Sequence, residues 1–368
     1  MRKGAAGAVL RKYAILNLPN ITETMQAYPV GTAQILADKM SQNMIDFVKR
    51  HVFSNMPLDP KLNWRDIFVL SQILRYPEGL TPAEVSANTR MDPATILRAN
   101  EKLQQFGYIT ILEQAFDARS NLIQYTPEGA ALLQLMFKTY LEQQDIVFEK
   151  VLPRLEIDDI REIFESCLDV QADAEKLASL QTSGKIRRED RTSYSRAVLH
   201  ESFEAFSKFP EFILQVYCRR ISSDYMTFLK SHAISKMPDK TLRKSRELLT
   251  LVSLDYLDYD ATSMDVARLT RFDPATTSRA VAILSAEKFI TPAPGFKADD
   301  RKKPLVLTEK GLKAVEEYKH LMSTAYEFAK SQLGLDRSPA EIKKQLRTLA
   351  LLDNRSKILA KIKPGTLV

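Results

Sequence analysis

"RMDPATILRA" at residues 90–99 returns as "RFDPATTSRA" at residues 271–280, 181 positions later. Both stretches begin with Arg, continue with Asp-Pro-Ala-Thr from the third letter and end with Arg-Ala. A match of this kind between distant parts of one chain indicates an internal repeat. How far the repeat extends decides how many domains the chain contains.

The repeat extends well beyond these ten letters. With the same offset of 181, an ungapped register from about residue 28 to residue 110 pairs Phe47 with Phe228, among other residues. Further along, the offset becomes 182 and pairs Arg119 with Arg301, because one residue has been added in a short loop. The sequence therefore predicts a duplicated domain, and two copies suggest a dimer whose subunits have been joined.

The composition is that of a globular protein, with 368 residues of which 45% are hydrophobic and 27% charged. This length predicts two domains. No apolar run reaches the length of a membrane span, and Arg11-Lys12 interrupts the apolar N-terminal stretch. We therefore expect a cytoplasmic protein that does not bind membranes. The two cysteines form no C-x-x-C motif, which favours buried thiols.

Within each copy, the pattern predicts a long amphipathic helix, three short helices and a β-hairpin. The long helix ends at Met-Pro (56–57 and 237–238), because proline cannot continue a helix. In the quoted stretches, Asp92 and Asp273 are suited to be N-caps, each followed by proline at the first helical position. Two strand-like segments around a polar turn follow. This order of elements is typical of a winged helix-turn-helix.

The segment "DPATTSRAVAILSAEKFITPAPGFKADDRKKPLVLTEKG" resembles the recognition helix, wing and following helix of the MarR (multiple antibiotic resistance regulator) family. Its Asp-x-Arg wing followed by Leu-Thr-x-x-Gly is the most specific part, and the first copy departs from it with Ser120-Asn121 where a second basic residue is usual. The resemblance implies a mainly α fold with small β-hairpin wings, in which long dimerisation-type helices flank two winged helix-turn-helix domains as an intramolecular pseudo-dimer. It also implies a small-molecule effector of phenolic type, held between these helices and a DNA-binding lobe.

On this basis the chain divides into an N-terminal extension (1–27), a first winged-helix unit (28–175), a linker (176–205) and a second unit (206–368). The linker contains the polar stretch "SGKIRREDRTSYSR". We expect the chain to act as a monomer that is already a pseudo-dimer, or to pair again as a homodimer.

Exposed residues near the start of each recognition helix can reach base edges in the major groove, where arginine binds guanine with two hydrogen bonds. Basic residues just before the helix and at the wing tips are placed for phosphate or minor-groove contacts. The residues predicted to contact double-stranded DNA are Arg90, Thr95, Arg98, Arg119, Arg271, Thr276, Ser278, Arg279, Arg301, Lys302 and Lys303. The reading faces differ, with Ile96-Leu97 in one and Thr277-Ser278 in the other, so unequal half-sites are expected.

The predicted function is a sequence-specific transcriptional regulator, a ligand-responsive repressor bound to an imperfect inverted repeat. The sequence offers no nucleophile with a paired base, no phosphate loop and no paired metal ligands, so neither enzymatic activity nor a cofactor is expected. The alternative is a winged-helix scaffold for protein interactions that does not read DNA. Local charge favours this alternative: residues 64–128 hold 6 Lys/Arg and 8 Asp/Glu and residues 245–310 hold 10 of each, although the whole chain carries +7.

Overall fold

The computed structural model describes residues 29–59, 61–74, 76, 78–112, 121–152, 154–180, 210–257, 261–270, 272–293 and 304–362. The predicted N-terminal extension and most of the predicted linker lie outside these residues. None of the helices in these ranges combines the length and the hydrophobicity that a bilayer crossing requires.

The described part of the chain is mainly helical, with short antiparallel strands. The elements of the first half are α1 (Pro29–Phe47), α2 (Trp64–Ile73), α3 (Pro82–Thr89), α4 (Pro93–Gln105), β1 (Ile109–Leu112), β2 (Leu122–Tyr125), α5 (Pro127–Lys150) and α6 (Ile157–Ser179). The elements of the second half are α7 (Pro210–His232), α8 (Ser245–Leu257), β3 (Ala261–Thr262), α9 (Ser263–Thr270), α10 (Pro274–Ala286), β4 (Ile290–Pro292), β5 (Pro304–Leu307), α11 (Glu309–Leu333) and α12 (Pro339–Lys361).

Each of the helices α1 to α6 has a counterpart that begins 181 or 182 positions later. The repeat includes the last helix of each half, since α6 begins at Ile157 and α12 at Pro339. The sequence register did not reach these two helices, because they share many buried positions but only three identical residues, at Ile160/Ile342, Leu177/Leu359 and Ala178/Ala360. The predicted boundary between residues 175 and 176 falls inside α6, which continues to Ser179 with Ala174 and Leu177 buried.

The predicted recognition helices are α4 and α10, and both begin where the sequence predicts. Asp92 accepts a hydrogen bond from the backbone N–H of Thr95 at 2.9 Å, and Asp273 accepts one from Thr276 at 2.8 Å. Proline occupies the first turn of both helices. The N-cap predictions are therefore confirmed.

Two hairpins follow the recognition helices. β1 pairs with β2, with Ile109 opposite Tyr125, and β4 pairs with β5, with Ile290 opposite Leu307. The second hairpin gains a third strand, because β3 pairs with the other edge of β5. The predicted return strands are confirmed, and the tips of both wings lie outside the described residues.

The threonine and glycine that follow each hairpin fix its base. Thr126 caps α5 and donates its hydroxyl hydrogen to the Gly107 carbonyl at 2.7 Å, and Thr308 caps α11 and donates to Lys288 at 2.7 Å. A side chain on Gly311 would collide with the backbone carbonyl of Phe289. The threonine-x-x-glycine spacing thus presses the helix N-terminus against the chain that enters the wing.

Four long helices, α1, α6, α7 and α12, pack together at the centre of the molecule. α1 contacts α7 and α12, whereas α7 contacts α1 and α6. The contacts between α1 and α7 are reciprocal: Gln34 donates to Ser222 at 3.2 Å, and Gln215 donates to Ser41 at 3.3 Å. Each residue of the first bond has its counterpart, 181 positions away, in the second.

A histidine that follows α1 and two cysteine thiols are buried in this bundle. Nε2 of His51 lies 3.1 Å from the Ile362 carbonyl oxygen, and its ring stacks on Phe47 with centroids 5.0 Å apart. Cys167 and Cys218 are both buried, as expected from the sequence. A hydrogen bond with Cys167 is the main cause that raises the pKa of Cys218 well above its usual value, and burial of the thiol is the second cause.

Candidate nucleic-acid interface

Helices α4 and α10 each bury one face and expose the other. The first lobe comprises α2, α3, α4, β1 and β2, and the second lobe comprises α8, β3, α9, α10, β4 and β5. In α4 the apolar residues Ile96, Ala99 and Leu103 are buried in the first lobe. Arg98 is exposed, and so is the equivalent Arg279 in α10. Both recognition helices therefore present an arginine to solvent at the same position of the repeat.

The two arginines have similar local geometry. Nε of Arg98 donates to the Ala94 carbonyl at 3.1 Å, and Nε of Arg279 donates to Ala275 at 3.3 Å. Nη2 of Arg279 also lies 3.3 Å from the Thr276 hydroxyl. These bonds direct each guanidinium back along its helix, toward the N-terminal end that enters a major groove in helix-turn-helix proteins.

Thr95 and Thr276 are half-buried and bonded to the N-caps. The Thr95 hydroxyl lies 2.5 Å from Asp92 Oδ2, and the Thr276 hydroxyl lies 2.5 Å from Asp273 Oδ2. Hydrogen bonds from the hydroxyl and then from the backbone N–H hold the pKa of each aspartate below its usual value. The hydroxyls thus stabilise the helix start as local partners, and a base contact would use only their remaining lone pairs.

Arg90 is directed into the protein. Its Nη2 lies 2.9 Å from Oδ2 of Asp224 on α7, and Nη1 donates to the Ala87 carbonyl at 2.6 Å. The side chains of Arg90 and Asp224 are 8% and 2% exposed. The predicted contact of Arg90 with phosphate would require this buried ion pair to open. Arg90 is therefore not among the proposed DNA contacts.

One residue of each predicted reading pair lies in the core. Ile96 is 0% exposed and Thr277 is 1% exposed, because both point into the helical lobe. Their neighbours Leu97 and Ser278 are exposed, Leu97 by 59%. Leu97 was predicted to belong to the reading face but was not named among the predicted DNA contacts, although its helical spacing from Ile96 and Ala99 indicates an outward position.

The remaining predicted contacts lie outside the described residues. They are Arg119, Arg271, Arg301, Lys302 and Lys303. Within the described residues, the candidate interface therefore consists of the exposed faces of α4 and α10, on which Arg98 and Arg279 occupy equivalent positions.

A cavity of about 360 Å³ lies between the bundle and the second lobe. Helices α1, α7, α8 and α9 all contribute to its lining. Its walls combine apolar side chains, such as Leu249 and Met226, with cationic ones, such as Lys230 and Arg246. The volume is within the range of small-molecule sites.

The described residues contain no cluster of three or more His, Cys, Asp or Glu that could hold a metal ion.

Over 101 residues the chain is 28% identical to the HTH-type transcriptional regulator Hpr of Exiguobacterium sibiricum. The match covers 27% of this chain and 52% of that protein, so the chain spans about half the length of this curated relative. No family model matches the chain, and no solved structure matches it. This similarity supports the interpretation of the chain as a transcription regulator.

Proposed function

We propose that this chain is a sequence-specific DNA-binding regulator in which two covalently joined winged helices read one duplex. The observation that carries the proposal is the repeated exposure of Arg98 and Arg279 on capped recognition helices. Arginine on such a helix can grip O6 and N7 of guanine, which discriminates against a wrong base by roughly 1–3 kcal/mol.

The bundle supports a pseudo-dimer of the MarR type. In a two-fold interface, residue i of one subunit contacts residue j of the other, and j contacts i in return. The bonds Gln34–Ser222 and Gln215–Ser41 have this relation within a single chain. In a complex with DNA, the two recognition helices of such a pseudo-dimer would occupy successive major grooves, about 34 Å apart, over an inverted repeat.

The half-sites of this inverted repeat should differ. At the equivalent exposed position, α4 carries Leu97 and α10 carries Ser278. A leucine can contact the methyl group of thymine, whereas a serine hydroxyl can donate to or accept from several base edges. We infer an operator with a thymine preference in the half-site under α4 and a different base in the other.

Repression under ligand control is the regulatory part of the proposal. The cavity between the bundle and the second lobe could hold a small molecule of the phenolic type that the family resemblance implies. A ligand there would alter how the second lobe sits on the bundle, and hence the spacing of the two recognition helices. The proposal requires no catalytic group and no cofactor.

Selection from a random DNA library, followed by mobility shift with the enriched duplex, tests DNA reading. We expect one chain to bind one duplex in a salt-sensitive way. Arg98→Ala and Arg279→Ala should each weaken this binding at least tenfold, because each removes one bidentate base contact. The control is Arg347→Ala, which changes an exposed arginine on α12 and should leave the affinity unchanged. Equal affinity for selected and scrambled duplexes would refute the proposal.

The exposed Leu97 supports the second candidate function, a scaffold that binds proteins. Its 59% exposure is the largest of any large hydrophobic side chain among the described residues. An apolar residue at the centre of a helix face also suits a protein partner. A scaffold would bind DNA weakly and show no sequence preference. The double variant Arg98→Ala/Arg279→Ala would then bind selected and scrambled duplexes alike, as the wild-type chain would.

A further inference from the structure

The two sides of the pseudo-dimer are not equivalent. Between the bundle and the second lobe lies the cavity of about 360 Å³. Ser245, the first residue of α8, contributes to its lining. The equivalent residue of the first half, 181 positions earlier, is Trp64, the single tryptophan of the chain. A small polar residue on one side thus corresponds to the largest side chain on the other.

The neighbours of Trp64 show that its indole fills the space equivalent to the cavity. Three cationic groups lie over its ring, at 5.3 Å for Lys49, 5.5 Å for Arg65 and 5.6 Å for Arg219, and Phe68 packs at 6.2 Å. The residues equivalent to these four all line the cavity of the second half: Lys230, Arg246, Asp38 and Leu249.

We propose that the chain binds one organic anion, in the cavity of the second half, and that Trp64 closes the equivalent site of the first half. The regulatory use of the site rests on the proposed function, whereas the binding itself does not depend on DNA.

The charge of the lining defines the ligand class. Among the described residues, the charged side chains that line the cavity are the cationic Arg90, Arg219, Lys230 and Arg246 and the acidic Asp38. Asp224 neutralises Arg90. A positive excess therefore remains beside apolar walls, which suits a carboxylate or sulfonate on an apolar body.

Two residues of α7 also hold the first lobe. On α7, Arg219 donates to the Thr89 carbonyl at 2.9 Å and Asp224 pairs with Arg90, so both residues grip the turn between α3 and α4. At the equivalent positions α1 carries Asp38, which has no hydrogen to donate to a backbone carbonyl, and Asn43, which has no charge. A ligand in the cavity would contact α8 and α9 and would therefore act on the second lobe.

Probe binding without DNA tests the proposal. The probe is 1-anilinonaphthalene-8-sulfonate, an aromatic anion, with uncharged N-phenyl-1-naphthylamine as its comparison. We expect one sulfonate per wild-type chain, none in Ser245→Trp and two in Trp64→Ser. Ser245→Trp copies a side chain that the first half already accommodates, so it should fold even where Trp64→Ser does not. Circular dichroism and the thermal midpoint check the folding of each variant.

A charge variant tests the ligand class. Arg246→Met should weaken binding of the sulfonate at least fivefold and leave binding of the uncharged amine unchanged. Arg219 contacts Trp64 and lines the cavity, so the sulfonate should also shift the tryptophan fluorescence of the wild-type chain.

Three results would overturn the proposal: two sulfonates per wild-type chain, undiminished binding to folded Ser245→Trp, or equal effects of Arg246→Met on both probes. Because these titrations contain no DNA, their failure is distinguishable from failure of the mobility-shift experiments.

Discussion

Replacing Asp224 with asparagine tests whether a buried charge pair holds the first lobe on the bundle. Oδ2 of Asp224 lies 2.9 Å from Nη2 of Arg90, and the two side chains are 2% and 8% exposed. The equivalent residue in the first half is Asn43, so the variant makes the two sides alike at this position. We expect the variant to lose stability, because a buried guanidinium would lose its carboxylate.

The structure sets the magnitude of this loss. Removing one charge of a buried ion pair costs about 3–5 kcal/mol, because the other charge stays buried. The asparagine oxygen can still accept a hydrogen bond from Arg90, and Oε1 of Glu175 lies 4.0 Å from the same guanidinium nitrogen. We therefore expect Asp224→Asn to lower the free energy of unfolding by about 2–3 kcal/mol.

Urea unfolding at pH 7, followed by circular dichroism, measures the change. The matched control is Asp46→Asn: Asp46 pairs with Arg50 at 3.8 Å with 41% of each side chain exposed, so its loss should cost under about 1 kcal/mol. In a background of Arg90→Met, the cost of Asp224→Asn should largely disappear. If Asp224→Asn costs no more than Asp46→Asn, or costs the same without Arg90, the reasoning is wrong.

Three further predictions concern the wing and the bundle. Gly311→Ala should destabilise the chain by about 1–3 kcal/mol in urea unfolding, because its methyl group would collide with the Phe289 carbonyl; a neutral result would contradict the close approach. Lys288 has a φ of 60°, so Lys288→Gly should stabilise the chain by about 0.5–1 kcal/mol, and a loss of stability would argue against the left-handed turn. Burial lowers the pKa of His51; the hydrogen bond to Ile362 raises this pKa in part, and the charge of Arg50 lowers it further. Near pH 6 the unfolded chain therefore binds more protons than the folded chain. Stability should therefore fall as pH decreases from about 7 to about 5.5, and His51→Gln should flatten this fall in the urea midpoint.

The local fold could be predicted from the sequence because its signals are local. Asp92 and Thr126 are suited to cap helices wherever they stand before a helical pattern, and both do so in the structure. The duplication fixed the order of elements, since every predicted element had a second copy to support it. The repeat of the last helix of each half was not recognised in the sequence, because α6 and α12 share buried positions but only three identical residues.

The candidate site could be predicted only in part, because side-chain direction depends on tertiary contacts. The exposure of Arg98 followed from its helix, whereas the direction of Arg90 depends on Asp224, 134 positions away in the chain. Ile96 was assigned to the reading face although the register places it in the core. The cavity beside Ser245 could not be predicted from the sequence either. It arises because Ser245 leaves open a space that Trp64 fills in the first half.

Footprinting on a duplex selected from a random library tests most directly whether one chain reads two half-sites. Guanine protection should appear in two patches about one helical turn apart on one face of the DNA, with one chain bound per duplex. Arg98→Ala should remove protection from one patch, and Arg279→Ala should remove it from the other. A single protected patch, or the loss of both patches in each variant alike, would contradict two covalently joined lobes that read separate half-sites.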